Sequence, residues 1–216
     1  MPTPAFVRSA VLGLLALAAA APAAHAQQHP RYQVEASLDQ TGSHSMYGVI
    51  AEGVAESQEL SQVESVGYSV AASRLARIAP RTSLRFGLSL ADKGYAERST
   101  TSAGTTLRHV DIIYLGAPLT VGYNLVNPRR GVLPFVEAGV APELLVRRDE
   151  GEFDFDLRRT GISYLVNAGV KYGLPDGRAL VLAPEARIAA RKYSVDRPGA
   201  REFRPITVGI KLGFQF

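Results

Sequence analysis

Hydrophobic and polar residues alternate along the last stretch of the chain, residues 204–216, which reads RPITVGIKLGFQF. Large apolar side chains occupy every second position from Ile206 to Phe216, and the positions between them carry polar residues or glycine. This alternation predicts a β-strand whose two faces have different environments. Because the apolar face is unbroken and the opposite face is small and polar, the pattern favours lipid on one side and a crowded barrel interior on the other.

Seven earlier stretches repeat this period of two. The predicted strands span residues 32–39, 63–77, 83–95, 108–124, 132–147, 160–174 and 179–193, with 204–216 as the eighth. The odd-numbered links between these strands are long, and the even-numbered links are short turns. We expect a loop with at most one short helix over 40–62 and a loop over 97–106. Outer-membrane barrels alternate short periplasmic turns with longer external loops. The sequence therefore predicts an all-β fold, a closed antiparallel up-and-down transmembrane β-barrel of eight strands.

The first 26 residues have the features of a cleaved signal peptide. Arg8 precedes an apolar run at 10–21, and Ala24-His25-Ala26 supplies the small residues that signal peptidase reads, so we expect cleavage before Gln27. The run is too short to span a bilayer as a helix, and no later stretch approaches roughly 18 consecutive apolar residues. We therefore expect a signal peptide over 1–26 and one outer-membrane β-barrel domain over 27–216.

Composition narrows the function classes. The chain has no cysteine, which excludes a disulfide-stapled scaffold. The formal net charge is only +4 and the basic residues are scattered, so we expect no nucleic-acid partner. We also predict no cofactor and no defined metal site.

Charged residues on the small, polar face of the predicted strands are expected to point into the barrel. The predicted lumen charge network comprises Arg85, Lys93, Glu137, Glu143, Arg147, Lys171, Glu185, Arg187, Arg191 and Lys211. Side chains roughly fill the interior of an eight-stranded barrel, and buried charges must pair or stay hydrated. We interpret the network as an ion-paired plug in which Lys171 bridges acids on its two neighbouring strands. A narrow anion-preferring path, lined by the excess of bases, is the alternative.

An acidic segment follows the fifth predicted strand. It contains Asp149, Glu150, Glu152, Asp154 and Asp156, with phenylalanines between them. Such a segment either contacts divalent cations or lipid head groups, or is a solvated loop, which is the interpretation we favour. Its spacing does not match an EF-hand, which requires glycine at the sixth position and glutamate at the twelfth.

His109 and Asp111 lie two residues apart near the external end of the fourth predicted strand, and therefore on one face. A histidine beside a carboxylate can act as an oriented general base. No motif marks a serine or cysteine nucleophile, so we expect no enzymatic activity, with a hydrolase at the external rim as a minor alternative.

Aromatic residues recur near the periplasmic ends of the predicted strands. Tyr32, Tyr123, Tyr172 and Phe216 all fall on the apolar face at this level. Transmembrane barrels carry aromatic girdles at the membrane interfaces. We therefore predict that these four residues form the periplasmic half of such a girdle.

Several short motifs together resemble a known family. Residues 114–119, YLGAPL, are similar to the tyrosine-leucine-x-x-proline-leucine strand of the outer-membrane β-barrel family that includes PorT, and residues 133–139, LPFVEAG, resemble its next strand. The Lys93-Gly94-Tyr95 sequence and the terminal phenylalanine are also similar to features of such barrels. The resemblance implies a porin-like barrel in the outer membrane and carries over no catalytic residues.

The sequence thus favours a structural or surface-interaction protein of the bacterial outer membrane that acts through its external loops. The alternatives are a narrow pore or transport or secretion accessory, and a lipid-modifying or proteolytic enzyme at the rim. The expected partners are outer-membrane lipids, the barrel-assembly machinery through the C-terminal strand, and an unidentified surface or secretion partner.

Overall fold

The structure is a computed structural model that describes residues 32–43, 49–50, 59–63, 65–101, 104–127, 131–149, 157–194 and 203–216. The predicted signal peptide at 1–26 lies outside these ranges, as do Glu150, Glu152, Asp154 and Asp156 of the acidic segment.

The regular elements of the described residues are all β-strands. They are β1 (Tyr32–Ser43), β2 (Val49–Ile50), β3 (Glu59–Val63), β4 (Ser65–Ala79), β5 (Thr82–Asp92), β6 (Tyr95–Thr101), β7 (Gly104–Val110), β8 (Ile112–Gly116), β9 (Leu119–Asn124), β10 (Val132–Arg148), β11 (Thr160–Gly173), β12 (Ala179–Ala189) and β13 (Pro205–Gln215). Among these residues no helix is long and apolar enough to cross a membrane.

Nine of the strands form one closed antiparallel sheet. Its order is β11-β12-β13-β1-β4-β5-β8-β10, with β9 also between β5 and β10, and pairing of β10 with β11 closes the ring. β8 and β9 both pair with β5 and β10, so they are two segments of one barrel strand. The barrel therefore has eight strands, and the predicted fold is confirmed. The two ends of the barrel chain meet where the Tyr32 and Phe216 backbones exchange hydrogen bonds of 3.0 Å.

Proline accounts for two of the irregularities in the ladders. Pro118 lies in the break between β8 and β9, and Pro142 of β10 faces that break, where its carbonyl accepts the Ala117 N–H at 2.9 Å. Pro184 lies inside β12, and its missing N–H coincides with a gap in the β11–β12 pairing after Asn167. Each break therefore lies where a ladder donor is absent.

The strands continue past the barrel at the end opposite the short turns. β2, β3, β6 and β7 form a separate antiparallel four-stranded sheet, which we call the external sheet. The expected loops at 40–62 and 97–106 are therefore wrong for the described residues, which are largely strand there. Period-two patterning failed here because a strand outside the bilayer needs no continuous apolar face.

Side chains alternate between the two faces of the barrel as predicted. On β11, Val166 is 54% exposed on the outer face, whereas the neighbouring Asn167 is 3% exposed in the interior. Leu38, Val66 and Leu212 are similarly exposed on the outside. A water-soluble protein rarely exposes an apolar surface this continuous, so the outer face is suited to lipid.

Candidate functional site

Most of the predicted lumen charges do lie inside the barrel. The eight buried members are Arg85, Lys93, Glu137, Glu143, Lys171, Glu185, Arg187 and Lys211. Seven of them lie on β5, β10, β11, β12 and β13, where the inward phase of the strand places them at the lumen, and Lys93 directly follows β5.

The prediction was wrong for Arg147 and Arg191, because both side chains are exposed and lie outside the lumen network. A bulge between Leu145 and Arg147 shifts the register of β10 against β8, so the inward phase is lost before Arg147. Its guanidinium instead pairs with Asp149 at 3.1 Å. Arg191 follows the end of β12 at Ala189, where strand alternation no longer directs the side chain.

Two acids that the sequence analysis left out belong to the lumen. Glu35 and Asp39 of β1 are 5% and 3% exposed and lie on the inner face. The signal was present in the sequence, since both occupy the polar phase of the first predicted strand. Among the described residues, the lumen then holds five basic and five acidic side chains: Arg85, Lys93, Lys171, Arg187, Lys211, Glu35, Asp39, Glu137, Glu143 and Glu185. The balance removes the excess of base on which an anion-preferring path depended.

Arg85 is at the centre of the first group of ion pairs. Its Nη1 lies 2.7 Å from Glu35 Oε1, and its Nε donates to Glu137 Oε1 at 3.0 Å, with a second, shorter contact from Nη2. Asn167 also donates to Glu137, at 3.3 Å. One guanidinium thereby ties β5 to β1 and β10 across the interior.

Glu185 is at the centre of the second group. Its Oε1 lies 2.6 Å from Arg187 Nε, and its Oε2 lies 2.9 Å from Lys211 Nζ. Lys211 also approaches Glu35 Oε2 at 3.5 Å, which joins the two groups into one network. Arg187 further donates to Ser69 Oγ at 3.0 Å on the far wall of the barrel. The network therefore spans the lumen.

A third group lies closer to the external end. Lys93 Nζ is 2.6 Å from Glu143 Oε2 and 2.7 Å from Ser163 Oγ. The Tyr193 hydroxyl donates to the same carboxylate in a short hydrogen bond. An apolar cluster covers this group, and its buried members are Tyr95, Val110, Ile112, Tyr114, Ala189, Tyr193 and Phe203. The external mouth of the lumen is thus closed by packed apolar side chains.

Lys171 does not bridge acids as expected. Its Nζ donates to Asn124 Oδ1 at 3.2 Å and lies 4.7 Å from the centre of the Phe135 ring. No described carboxylate lies within ion-pair distance of it. It faces a cavity of about 330 Å³ at the short-turn end, which Arg77, Arg81 and Arg178 also line.

His109 and Asp111 lie at the external rim, together with two residues that sequence reasoning did not link to them. His109 Nε2 is 2.9 Å from Asp111 Oδ1 and 3.5 Å from Asp92 Oδ2. Its Nδ1 is 2.6 Å from Ser65 Oγ. The hydrogen bond with Asp92 raises the pKa of His109 above its ordinary value, and burial together with the charge of Asp92 raises that of Asp111. No sequence motif could have found Ser65, because the contact depends on how the strands meet.

The four predicted girdle residues lie together at the short-turn end. Tyr32, Tyr123 and Tyr172 are about half exposed on the outer face, at 48%, 44% and 52%. Phe216 lies beside Tyr32, with ring centres 6.0 Å apart. Of the acidic segment, only Asp149 is described, and it pairs with Arg147.

Comparison with known proteins identifies the fold but no family. No family model matches the chain, and no curated protein matches it. Among solved structures, neisserial surface protein A aligns with a TM-score of 0.54 at 16% identity, over 85% of this chain and 94% of that protein. The outer-membrane protein OprG of Pseudomonas aeruginosa aligns with a TM-score of 0.46 at 11% identity, over 88% of this chain and 98% of OprG.

The alignment with neisserial surface protein A, together with the closed eight-stranded sheet, shows that the chain has the fold of a small outer-membrane barrel. At this level of identity the similarities carry no shared activity or ligand. They also provide no match specific to the PorT family, so that resemblance stays a prediction.

Proposed function

We propose that this protein is a non-conducting barrel of the bacterial outer membrane that presents its external sheet for interaction at the cell surface. The observation that carries the proposal is the filled lumen. Paired charges occupy its middle, and the apolar cluster around Tyr114 and Tyr193 closes its external mouth.

The outer-membrane location is supported by the outer face of the barrel and by the fold. Exposed apolar side chains cover the strands, and the aromatic residues Tyr32, Tyr123 and Tyr172 cluster at one end. On this proposal, lipids contact the outer face, the predicted signal peptide directs export, and the barrel-assembly machinery recognises the C-terminal strand β13. A pore is disfavoured because paired charges and the apolar cluster occupy the lumen, and an anion-preferring path is disfavoured because the buried acids and bases balance.

The surface role is supported by the external sheet. A purely structural barrel needs only loops to connect its strands, whereas β6 and β7 continue as a paired hairpin beyond the barrel. Residues 104–109 of this hairpin are exposed, including Leu107 at 52%. An ordered hairpin with exposed faces is a suitable platform for contact with another molecule.

Labelling of intact cells tests the location and orientation. The chain has no cysteine, so single cysteines can be introduced as Leu107→Cys on the external sheet and Asp176→Cys on the short turn before β12. A membrane-impermeant maleimide should label the first on intact cells and the second only after the outer membrane is permeabilised. The reverse pattern, or recovery of the protein as a soluble periplasmic species, contradicts the proposal.

Planar-bilayer recording tests whether the lumen conducts. The wild-type protein should give no regular conductance steps, because paired charges occupy the middle of the lumen and an apolar cluster lies over its external end. Steady single-channel current from the wild-type protein would instead support the pore alternative.

A further inference from the structure

The rim cluster of Asp92, His109 and Asp111 is not part of the lumen network or of the proposed function. Its three potential ligand atoms, one from each side chain, lie within 4.8 Å of one another. We propose that this cluster is a binding site for a divalent transition-metal ion of the zinc type, with Ser65 orienting the histidine.

The spacing of the donor atoms suits such an ion. Around a tetrahedral zinc ion with ligand distances of about 2.0–2.2 Å, neighbouring ligand atoms lie roughly 3.4 Å apart. His109 Nε2 lies 2.9 Å from Asp111 Oδ1 and 3.5 Å from Asp92 Oδ2, which brackets that value. An ion between the three atoms would also neutralise the two neighbouring carboxylates.

Backbone donors hold Asp92 in place. The Asp92 side chain is 2% exposed, and its Oδ1 accepts hydrogen bonds from the Gly94 N–H at 2.8 Å and the Ile112 N–H at 3.3 Å. Its other oxygen, Oδ2, points to His109. The carboxylate thus has one oxygen fixed by the fold and the other available to a ligand.

Ser65 supplies the outer contact that metal-binding histidines usually have. A ligating histidine commonly donates its second ring N–H to an oxygen, which fixes the ring orientation. The Ser65 hydroxyl lies 2.6 Å from His109 Nδ1, and it can accept that hydrogen bond while Nε2 faces the ion.

The exposure of the cluster argues against the alternative of a serine hydrolase. A catalytic serine must present its hydroxyl to the substrate. Ser65 is only 7% exposed, whereas the side chains of His109 and Asp111 are 41% and 36% exposed. Two of the three potential ligands are therefore accessible from solvent, whereas the serine hydroxyl is not. Further coordination positions of the ion would be open to water or to an anionic group at the cell surface.

The donor set selects the class of ion. Calcium and magnesium prefer oxygen ligands in larger number, whereas an imidazole with carboxylates suits zinc and related transition metals. We therefore expect zinc to bind, and excess calcium to fail to displace it.

Calorimetric titration of zinc into the full mature chain in detergent micelles measures the binding affinity and tests the site. His109→Ala should weaken the affinity by about 100-fold or more, and Ser65→Ala by about 10–100-fold through loss of ring orientation. Asp92→Asn and Asp111→Asn should also weaken binding strongly. Asparagine at position 92 keeps a carbonyl oxygen for the Gly94 and Ile112 donors, so this change removes the charge with little effect on the fold. The visible spectrum of the cobalt form provides a second readout of direct coordination.

Two control variants separate this site from adventitious binding. Asp176→Asn removes an exposed acid on the short turn before β12, far from the rim, and the double change His29→Ala, His44→Ala removes the other two histidines of the predicted mature chain. Both controls should bind zinc as tightly as the wild type. The proposal would be overturned if the His109→Ala variant keeps a native circular dichroism spectrum and still binds zinc with wild-type affinity. It would also be overturned if binding is lost in the His29, His44 double variant and in no other variant. Metal-independent ester hydrolysis that is abolished by Ser65→Ala would also overturn it, in favour of the hydrolase.

Discussion

Replacement of Lys93 by methionine should destabilise the protein far more than the same replacement of Lys171. Both lysines are buried in the lumen, at 1% and 7% exposure, and each has its ammonium group above an aromatic ring. They differ in the partners of the ammonium group. Lys93 Nζ lies 2.6 Å from Glu143 Oε2 and also donates to Ser163, whereas among the described residues the hydrogen-bond partner of Lys171 Nζ is the Asn124 amide oxygen.

The magnitudes follow from what each change leaves behind. Lys93→Met strands the Glu143 carboxylate, and breaking a buried ion pair in this way costs about 3–5 kcal/mol. Tyr193 and Ser163 still donate to that carboxylate, so we expect a cost of about 3 kcal/mol, the lower end of the range. Lys171→Met loses one hydrogen bond, worth about 1 kcal/mol, but relieves the desolvation of a cation without a carboxylate partner. Its net effect should be within about 1 kcal/mol of zero.

Unfolding by denaturant from lipid vesicles measures both variants. The chain has no tryptophan, so circular dichroism or the mobility of the folded form on unheated gels must report folding. In the Lys93→Met background, Glu143→Gln should recover part of the lost free energy, because it removes the stranded charge. Equal destabilisation by the two lysine replacements, or no recovery in the double variant, would show that the lumen is hydrated and that pairing does not determine its stability.

Two further pairs of variants test the outer face and the packing of the wall. Val166→Arg should cost about 2–4 kcal/mol of folding free energy in vesicles, because arginine at the bilayer midplane loses hydration. Leu107 has a similar exposure of 52% but lies on the external sheet, so Leu107→Arg should be nearly neutral. An equal loss of folding free energy in the two variants would show that the membrane boundary lies elsewhere. Gly169→Ala should cost about 1–3 kcal/mol, because an added Cβ would lie 2.2 Å from the Leu182 carbonyl oxygen. Gly173→Ala on the same strand, where the nearest atom is 3.6 Å away, serves as its control in the same unfolding measurement.

Much of the barrel could be predicted because its physical determinant is local. Each strand must present apolar groups to one side and small or polar groups to the other, so the period of two along 160–174 and 204–216 specifies strand and phase together. Eight of the ten predicted lumen charges lie inside for this reason. The prediction failed at Arg147 and Arg191, where a bulge and a strand end interrupt the phase.

Only the tertiary structure decided which charges meet and where the strands extend. The partner of Lys93 is Glu143, at a distance of 50 residues along the chain, and this pairing depends on the register of β5, β8 and β10, which no local pattern encodes. The same holds for Ser65 and His109, which come from different sheets and meet through the continuation of the strands beyond the barrel. The sequence by itself determined the faces of the strands, because burial acts on each residue separately. The structure decided the network and the rim cluster, because an ion pair or a metal site depends on the relative position of distant segments.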